Sequence, residues 1–282
     1  GTVEIGLTGS RLGRTVIELE HVHYKVEGRT IIKDFSYTLL RNDRVGILGR
    51  NGTGKSTLLN ILSGRLQPTS GTVTIGQTVK IGYFAQRNVE MDERLRAIEY
   101  IQEAAHHITL ADGTRVSASQ LMERFLFPGN LQWTPIARLS GGEKRRLYLL
   151  RILMEEPNVL LLDEPTNDLD LETMAVLENF IDDFRGAIVF VSHDRFFVDR
   201  LAEKVFVYED DGRLTMYSGG YSYYKEKAAE QESLAEEKRA EKKITAEEKT
   251  PTRAPRTESK PKLSFKEQKE YAEIEGIIAS KE

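Results

Sequence analysis

The sequence contains no cysteine, which excludes a disulfide framework, a thiolate metal site and a cysteine nucleophile, and fits a reducing compartment. Long apolar runs are missing too. With 39% hydrophobic and 30% charged residues in a chain of 282, no stretch approaches the roughly 20 apolar residues that span a bilayer. The leading residues 1–14 lack the apolar centre of a secretory signal. A cytoplasmic protein without membrane insertion is expected. No excess of positive charge is present either: the formal net charge is −4, so any electrostatic footprint for nucleic acid must be local. The chain opens at Gly1 and its first methionine is Met91; a segment of a longer protein is expected.

What is present reads as one substantial α/β core with an extension. TVIELE at 15–20 and FSYTLL at 35–40 alternate apolar and polar residues, with Gly28-Arg29 between them, which predicts an antiparallel β-subdomain. RVGIL at 44–48 runs into a glycine-rich loop and then a helical spacing of Leu58, Leu59 and Leu62 over 56–63. The runs at 159–162 and 187–191 have the unbroken hydrophobicity of parallel strands buried on both faces. From Gln86 to Leu139 the pattern turns helical, with segments at 95–105 and 117–127 and Pro128-Gly129 closing the second. An inserted helical subdomain over about 88–155 is expected, with Trp133, the one tryptophan, packed inside it. After Tyr224 come a charged helical extension at 225–250, a linker at 251–262 with Pro251, Pro255 and Pro261, and a helical restart at 263–282. From residue 225 onward, 14 lysines and arginines balance 14 glutamates. Such a run is ordinarily a solvated helix whose i,i+4 pairs contribute about 0.2–0.5 kcal/mol each.

Three motifs carry chemistry. Gly49-Arg50-Asn51-Gly52-Thr53-Gly54-Lys55-Ser56 matches the P-loop pattern between a buried strand and a helix. The glycines let backbone N–H groups turn toward phosphates, the helix dipole favours the same anion, Lys55 adds a point charge, and the Ser56 hydroxyl suits Mg²⁺. Thr57 is placed to bond a further phosphate. Second, the strand at 159–162 delivers Asp163 and Glu164 to a sheet edge, where adjacent carboxylates point apart and can divide two tasks: holding the metal and polarising a water. Third, Leu139-Ser140-Gly141-Gly142-Glu143 leads into a helix; alone it would be read as an ordinary N-cap, and a helix N-terminus also favours anions.

Together with Gln86 after Tyr83-Phe84-Ala85, LLLDEP at 160–165 and Ser192-His193-Asp194, these motifs resemble the ABC ATPases across residues 16–224. The resemblance implies a P-loop NTPase cassette: an α/β fold with an antiparallel β-subdomain, a mostly parallel core sheet, an inserted helical subdomain and, here, a charged helical tail. It implies ATP and Mg²⁺ as cofactors. Nucleotide binding would fall to Tyr24, Gly49, Asn51, Gly52, Thr53, Gly54, Lys55, Ser56 and Thr57. Catalysis would fall to Glu164, His193 and Gln86, and metal binding to Ser56, Gln86 and Asp163. Ser140, Gly141 and Gly142 would cap a site in a second cassette, and Asp168 would belong to the D-loop. Tyr24 competes with His21 and His23 for the adenine-stacking role. NDLD at 167–170, SHDRFF at 192–197 and Tyr217-Ser218-Gly219-Gly220-Tyr221 before a charged helix resemble the ABC-F branch, most of all the second cassette of a Uup-type protein, with 1–15 as a linker remnant and 263–282 as the start of a coiled-coil tail. That branch implies a second cassette and the ribosome or RNA as partners, with DNA as a further partner through the tail. A transporter's ATPase subunit and a nucleic-acid-binding ABC ATPase are the competing readings.

Overall fold

The computed structural model describes residues 15–86, 90–109, 113–231, 233 and 234. The chain divides into two units, Gly1–Ala229 and Glu230–Glu282, and the sheets and the site belong to the first. Residues 221–231 are helical, which takes in only the start of the charged helix expected over 225–250; residues 235–250, the expected linker and terminal helix over 251–282, and the leading 1–14 fall outside the described residues.

Along the chain come β1 (Thr15–Val26), β2 (Arg29–Leu40), β3 (Arg44–Leu48), α1 (Lys55–Leu62), β4 (Ser70–Ile75) and β5 (Ile81–Phe84). The stretch expected to be helical holds α2 (Ala97–Gln102), β6 (His107–Thr109), β7 (Arg115–Ser117), α3 (Ala118–Arg124), α4 (Gly129–Gln132) and α5 (Gly141–Met154). The core resumes with β8 (Val159–Asp163), α6 (Pro165–Asp168), α7 (Leu171–Asp183), β9 (Ala187–Val191), α8 (Arg195–Leu201), β10 (Lys204–Tyr208) and β11 (Leu214–Ser218).

The core sheet has the order β11-β10-β3-β9-β8-β5, parallel throughout except for the β10–β11 pair. This order sets β3, β9 and β8 side by side, so the residues just past their carboxyl ends share one edge, where open parallel sheets bind ligands. Both faces of the sheet are covered, as the unbroken apolar runs require. Val159, Leu161, Val189 and Val191 pack with α1 and the antiparallel sheet β2-β1-β4. Leu160, Leu162, Ile188 and Phe190 pack against α5, α7 and α8. Each such side chain removed from water stabilises the fold by about 1.5–3 kcal/mol.

β1 and β2 are twice as long as the alternation at 15–20 and 35–40 suggests. Register shifts on either side of Val22, with His21 and Asp34 both at φ 49°, interrupt the two-residue period and hide the rest of each strand. The helical subdomain differs from expectation in two ways. It contains the β6–β7 hairpin, whose three-residue strands are too short to show a period. And Trp133 does not pack inside: it is 58% exposed, with the Arg96 guanidinium 5.4 Å from its ring centre. The interior is filled instead by Tyr100, Leu121, Phe125 and Phe127, and the buried position of the single turn of α4 is taken by Gln132.

Asp43, between β2 and β3, is a buried hub. Its Oδ2 accepts hydrogen bonds from the Tyr37 hydroxyl at 2.6 Å and the Leu40 N–H at 2.9 Å, and its Oδ1 accepts from Lys204 Nζ at 2.9 Å. Burial alone would raise its pKa; the Leu40, Tyr37 and Lys204 donors outweigh that and hold it below the ordinary carboxylate range. With a depressed folded pKa, the stabilisation is present above the unfolded value of about 3.9 and is lost as pH falls through the folded one. Asp43→Ala strands Tyr37 and Lys204 without an acceptor. The expected cost is about 3 kcal/mol, the low end for a broken buried pair because Lys204 keeps some contact with water. Urea unfolding measures it, and the acid loss of stability should be shallower in the variant.

Candidate functional site

The loop between β3 and α1 is shaped by what crowds it. Gly54, the N-cap of α1, has φ 117° and ψ 16°, and a Cβ there would lie 2.3 Å from Ile31 Cγ2 of β2. Only glycine fits that backbone and that gap. From the other side the Tyr208 hydroxyl at the end of β10 donates to the Gly54 carbonyl at 3.0 Å. Lys55 is buried at the start of α1, and its Nζ donates to the Gly49 and Arg50 carbonyls at 2.9 Å each. Burial lowers its pKa, while Glu164 and Asp163 pull the other way. The result is a cation held under a ring of backbone, at the positive end of a helix.

The two carboxylates sit at the end of β8. Asp163 is 2% exposed, its Oδ1 has no hydrogen-bond partner among the described residues, and the Ser56 hydroxyl donates toward its carboxylate. Burial raises its pKa against the pull of Ser56, Lys55 and Arg145. Glu164 is also buried and adopts a left-handed backbone, φ 51° and ψ 52°, as N-cap of α6 with Pro165 next. That conformation costs a non-glycine residue about 1–3 kcal/mol. His193, just past β9, grips Glu164 at both oxygens: the ring Nε2 lies 3.1 Å from Oε1, and the backbone N–H donates to Oε2 at 3.3 Å. Burial raises the Glu164 pKa and the neighbouring Asp163 adds to this, while His193 and Lys55 oppose it.

These groups meet in one cleft of about 500 Å³, lined by Asn51, Gly52, Gly54, Lys55, Ser56 and Thr57 from the loop and α1, and by Gln86, Asp163, Glu164 and His193 from the sheet edge. Ile31, Asn167 and Val191 complete the lining, although no sequence motif singled out Ile31 or Val191 for it. Gly49 and Thr53 belong to the loop without lining the cleft; the Thr53 hydroxyl closes the turn on the Arg50 carbonyl at 2.9 Å. Tyr24 lies half-buried on β1 against the antiparallel-sheet core and does not line the cleft. The Asp168 side chain falls outside the described residues.

Ser140, Gly141 and Gly142 do not line the cleft either. Ser140 caps α5 in a closed box: Glu143 N–H donates to Ser140 Oγ at 3.3 Å, and Ser140 N–H to Glu143 Oε2 at 2.7 Å. A Cβ added at Gly141 or Gly142 would meet nothing within 4 Å. The helix terminus therefore presents bare backbone, open to another molecule. No group of three or more histidine, aspartate or glutamate side chains among the described residues could hold a metal.

A buried lysine under a glycine loop, two carboxylates at a strand end and a histidine on the neighbouring strand define a P-loop nucleoside-triphosphate site. Comparison with known proteins refines that class. The ABC transporter family matches residues 32–167. The chain is 48% identical over 282 residues, all of its length and 44% of the other's, to the "Uncharacterized ABC transporter ATP-binding protein YfmR" of Bacillus subtilis. It is 37% identical over 287 residues to the "ATP-binding protein Uup" of Haemophilus influenzae, covering 99% of this chain and 44% of that protein. Against the "Energy-dependent translational throttle protein EttA" of the same organism it is 42% identical over 218 residues, 77% of this chain and 39% of that one. It thus spans about half the length, or less, of these relatives. In fold it is similar to the ATP-binding cassette MJ0796, solved as a dimer in a post-hydrolysis state bound to ADP and Pi, with TM-score 0.56, 23% identity and coverage of 72% of this chain and 98% of that one. The chain belongs to the ABC ATPase family, and its likeness to Uup and EttA is a likeness to ABC-F proteins.

Proposed function

We propose that this chain is an ATP-hydrolysing cassette of an ABC-F protein that acts on the ribosome in translation, and that it works against a second cassette. The observation that carries the reading is a cleft lined by Lys55, Ser56, Asp163, Glu164, Gln86 and His193 from which Ser140, Gly141 and Gly142 are absent. A cleft walled on one side, with an anion-favouring helix terminus facing elsewhere, is half of two shared sites. The ribosomal part rests on the likeness to EttA, a translational throttle by name. Among the described residues no helix is long and apolar enough to cross a membrane.

The donor set fits Mg²⁺. The unpartnered Asp163 Oδ1, the Ser56 hydroxyl and the Gln86 side-chain oxygen are the hard oxygens this ion takes, and these residues would hold it. Bound there, it would neutralise charge developing on the phosphates. Lys55 exchanges its loop carbonyls for phosphate oxygens. Glu164 accepts a hydrogen bond, and then the proton, from the attacking water, and His193 fixes the direction in which that carboxylate points. Because Glu164 acts as a carboxylate and its pKa is raised, hydrolysis should fall on acidification through a midpoint above the ordinary glutamate value of about 4.3. A pH–rate profile at saturating ATP checks this; a limb at the ordinary value would remove Glu164 from the role.

The reading as a whole is tested by ATP turnover of this chain alone and joined to a second cassette, each with and without ribosomes. Slow turnover alone, acceleration by the second cassette and further acceleration by ribosomes are expected. Turnover that the second cassette leaves unchanged would refute the shared sites. Acceleration indifferent to ribosomes would refute the ribosomal part and keep the ATPase.

A further inference from the structure

The strand end that delivers Gln86 is held by one face of α5, and three consecutive residues are engaged. The Tyr148 hydroxyl donates to the Tyr83 carbonyl at 3.0 Å. The Phe84 ring stacks on Tyr148 with 5.6 Å between centroids and 27° between planes, and the Arg145 guanidinium lies 4.1 Å from the Phe84 ring centre. Arg145 Nη2 then donates to the Ala85 carbonyl at 2.9 Å. Arg145 and Tyr148 stand three positions apart on the helix and so share a face. Ala85 immediately precedes Gln86. Arg145 is only 9% exposed, and its charge also favours the ionised form of Asp163.

We propose that Arg145 is a positioning residue: it holds the Ala85 carbonyl so that Gln86 stays in the cleft beside Asp163, and it thereby ties the helix that begins at Ser140 to the metal side of the nucleotide site. A planar guanidinium suits this place because it can lie on an aromatic ring while one N–H reaches sideways to a carbonyl, and it stays charged when buried. Lysine can supply the charge or the hydrogen bond but not the flat stack. The α5 terminus at Ser140 and the strand end at Gln86 are thus two ends of one packed unit, so displacement of α5 is felt at Gln86. The inference rests on the reading of the cleft as a Mg-ATP site.

The test is the affinity for a fluorescent ATP analogue, measured in Mg²⁺ and in EDTA, for the unchanged chain, Gln86→Ala, Arg145→Met and the double variant. Methionine keeps an unbranched stem against Phe84 and removes the donor. Arg145→Met should lose about ten-fold of the affinity seen in Mg²⁺, the size of effect typical of residues that orient a metal ligand, and almost none in EDTA. The double variant should lose no more than Gln86→Ala, because an effect exerted through Gln86 does not add to its removal. Arg145→Lys should fail to restore the loss. If Arg145→Met does not fold, Tyr148→Phe, which releases the Tyr83 carbonyl from the same grip, should show a smaller loss of the same kind. Losses equal in Mg²⁺ and EDTA, losses that add, or an Arg145→Met variant matching the unchanged chain while Gln86→Ala is impaired would each overturn the proposal. An unchanged chain that binds ATP no better in Mg²⁺ than in EDTA would overturn the Mg-ATP reading itself, and the proposal with it.

Discussion

Glu164→Gln is expected to slow ATP hydrolysis by about 10²- to 10⁴-fold, the range of a positioned general base, and to leave ATP binding nearly intact. Binding survives because the residues that face phosphate in this reading, Lys55, Ser56 and the loop backbone, are untouched, and Asp163 still favours the Lys55 charge when that of Glu164 is gone. Its carboxylate is held by His193 rather than by the loop. The variant should also accumulate any ATP-bound dimer, since the step that dissolves it is blocked. A second consequence separates this position from a structural one. Glu164 has a folded pKa raised above its unfolded value, so its contribution to stability is present at low pH and lost as pH rises through the folded pKa. At neutral pH the charge is a liability of the nucleotide-free protein, and the amide removes it. The nucleotide-free variant should therefore unfold at a higher temperature than the parent. Turnover, nucleotide affinity and thermal unfolding of the same preparation check all three. A variant that binds ATP poorly would show that Glu164 supports the pocket instead of the attacking water.

What can be read along the chain and what cannot divide along a physical line. The P-loop, the β8 and β9 strands and the Ser140 cap are legible because a glycine loop, a run of apolar residues, or a serine three residues before a glutamate marks its conformation within a few neighbouring positions. The residues that give the site its shape act across long stretches of chain and leave no local mark. Ile31 makes Gly54 necessary from β2, Tyr208 holds the same glycine from 154 positions away, and Arg145 reaches back 60 positions to Ala85. Nothing in Tyr208 as a residue distinguishes it from any tyrosine ending a strand. Trp133 fails for the related reason that burial depends on which neighbours occupy the interior, and Phe125 and Phe127 do so. The β1 and β2 bulges conceal strand from a pattern reader because an extra residue reverses the in–out order on either side of it.

Gly54→Ala tests whether the long-range part of the site matters as much as the motif. Two separable penalties act on the added methyl group. The backbone at φ 117° is one that a residue with a Cβ rarely adopts, and forcing it costs about 1–3 kcal/mol. The methyl carbon would also stand 2.3 Å from Ile31 Cγ2, an overlap that must be relieved by moving β2 or the loop, at about another 1–3 kcal/mol. If the loop is what moves, the cost is exerted on the phosphate-facing N–H groups, and ATP affinity should fall by about a hundred-fold, since every 1.4 kcal/mol is a factor of ten. Ile31→Ala clears the space without touching the backbone requirement. The double variant Gly54→Ala with Ile31→Ala should therefore recover part of the lost affinity, about ten-fold, and no more. Full recovery would mean that steric contact with β2 is the whole reason for the glycine. No recovery would mean that backbone conformation alone demands it, and that the β-subdomain does not shape the phosphate loop. The intermediate result is expected because both constraints meet at the same Cα: the loop needs the left-handed turn to start α1, and β2 lies against that turn to fix where it starts.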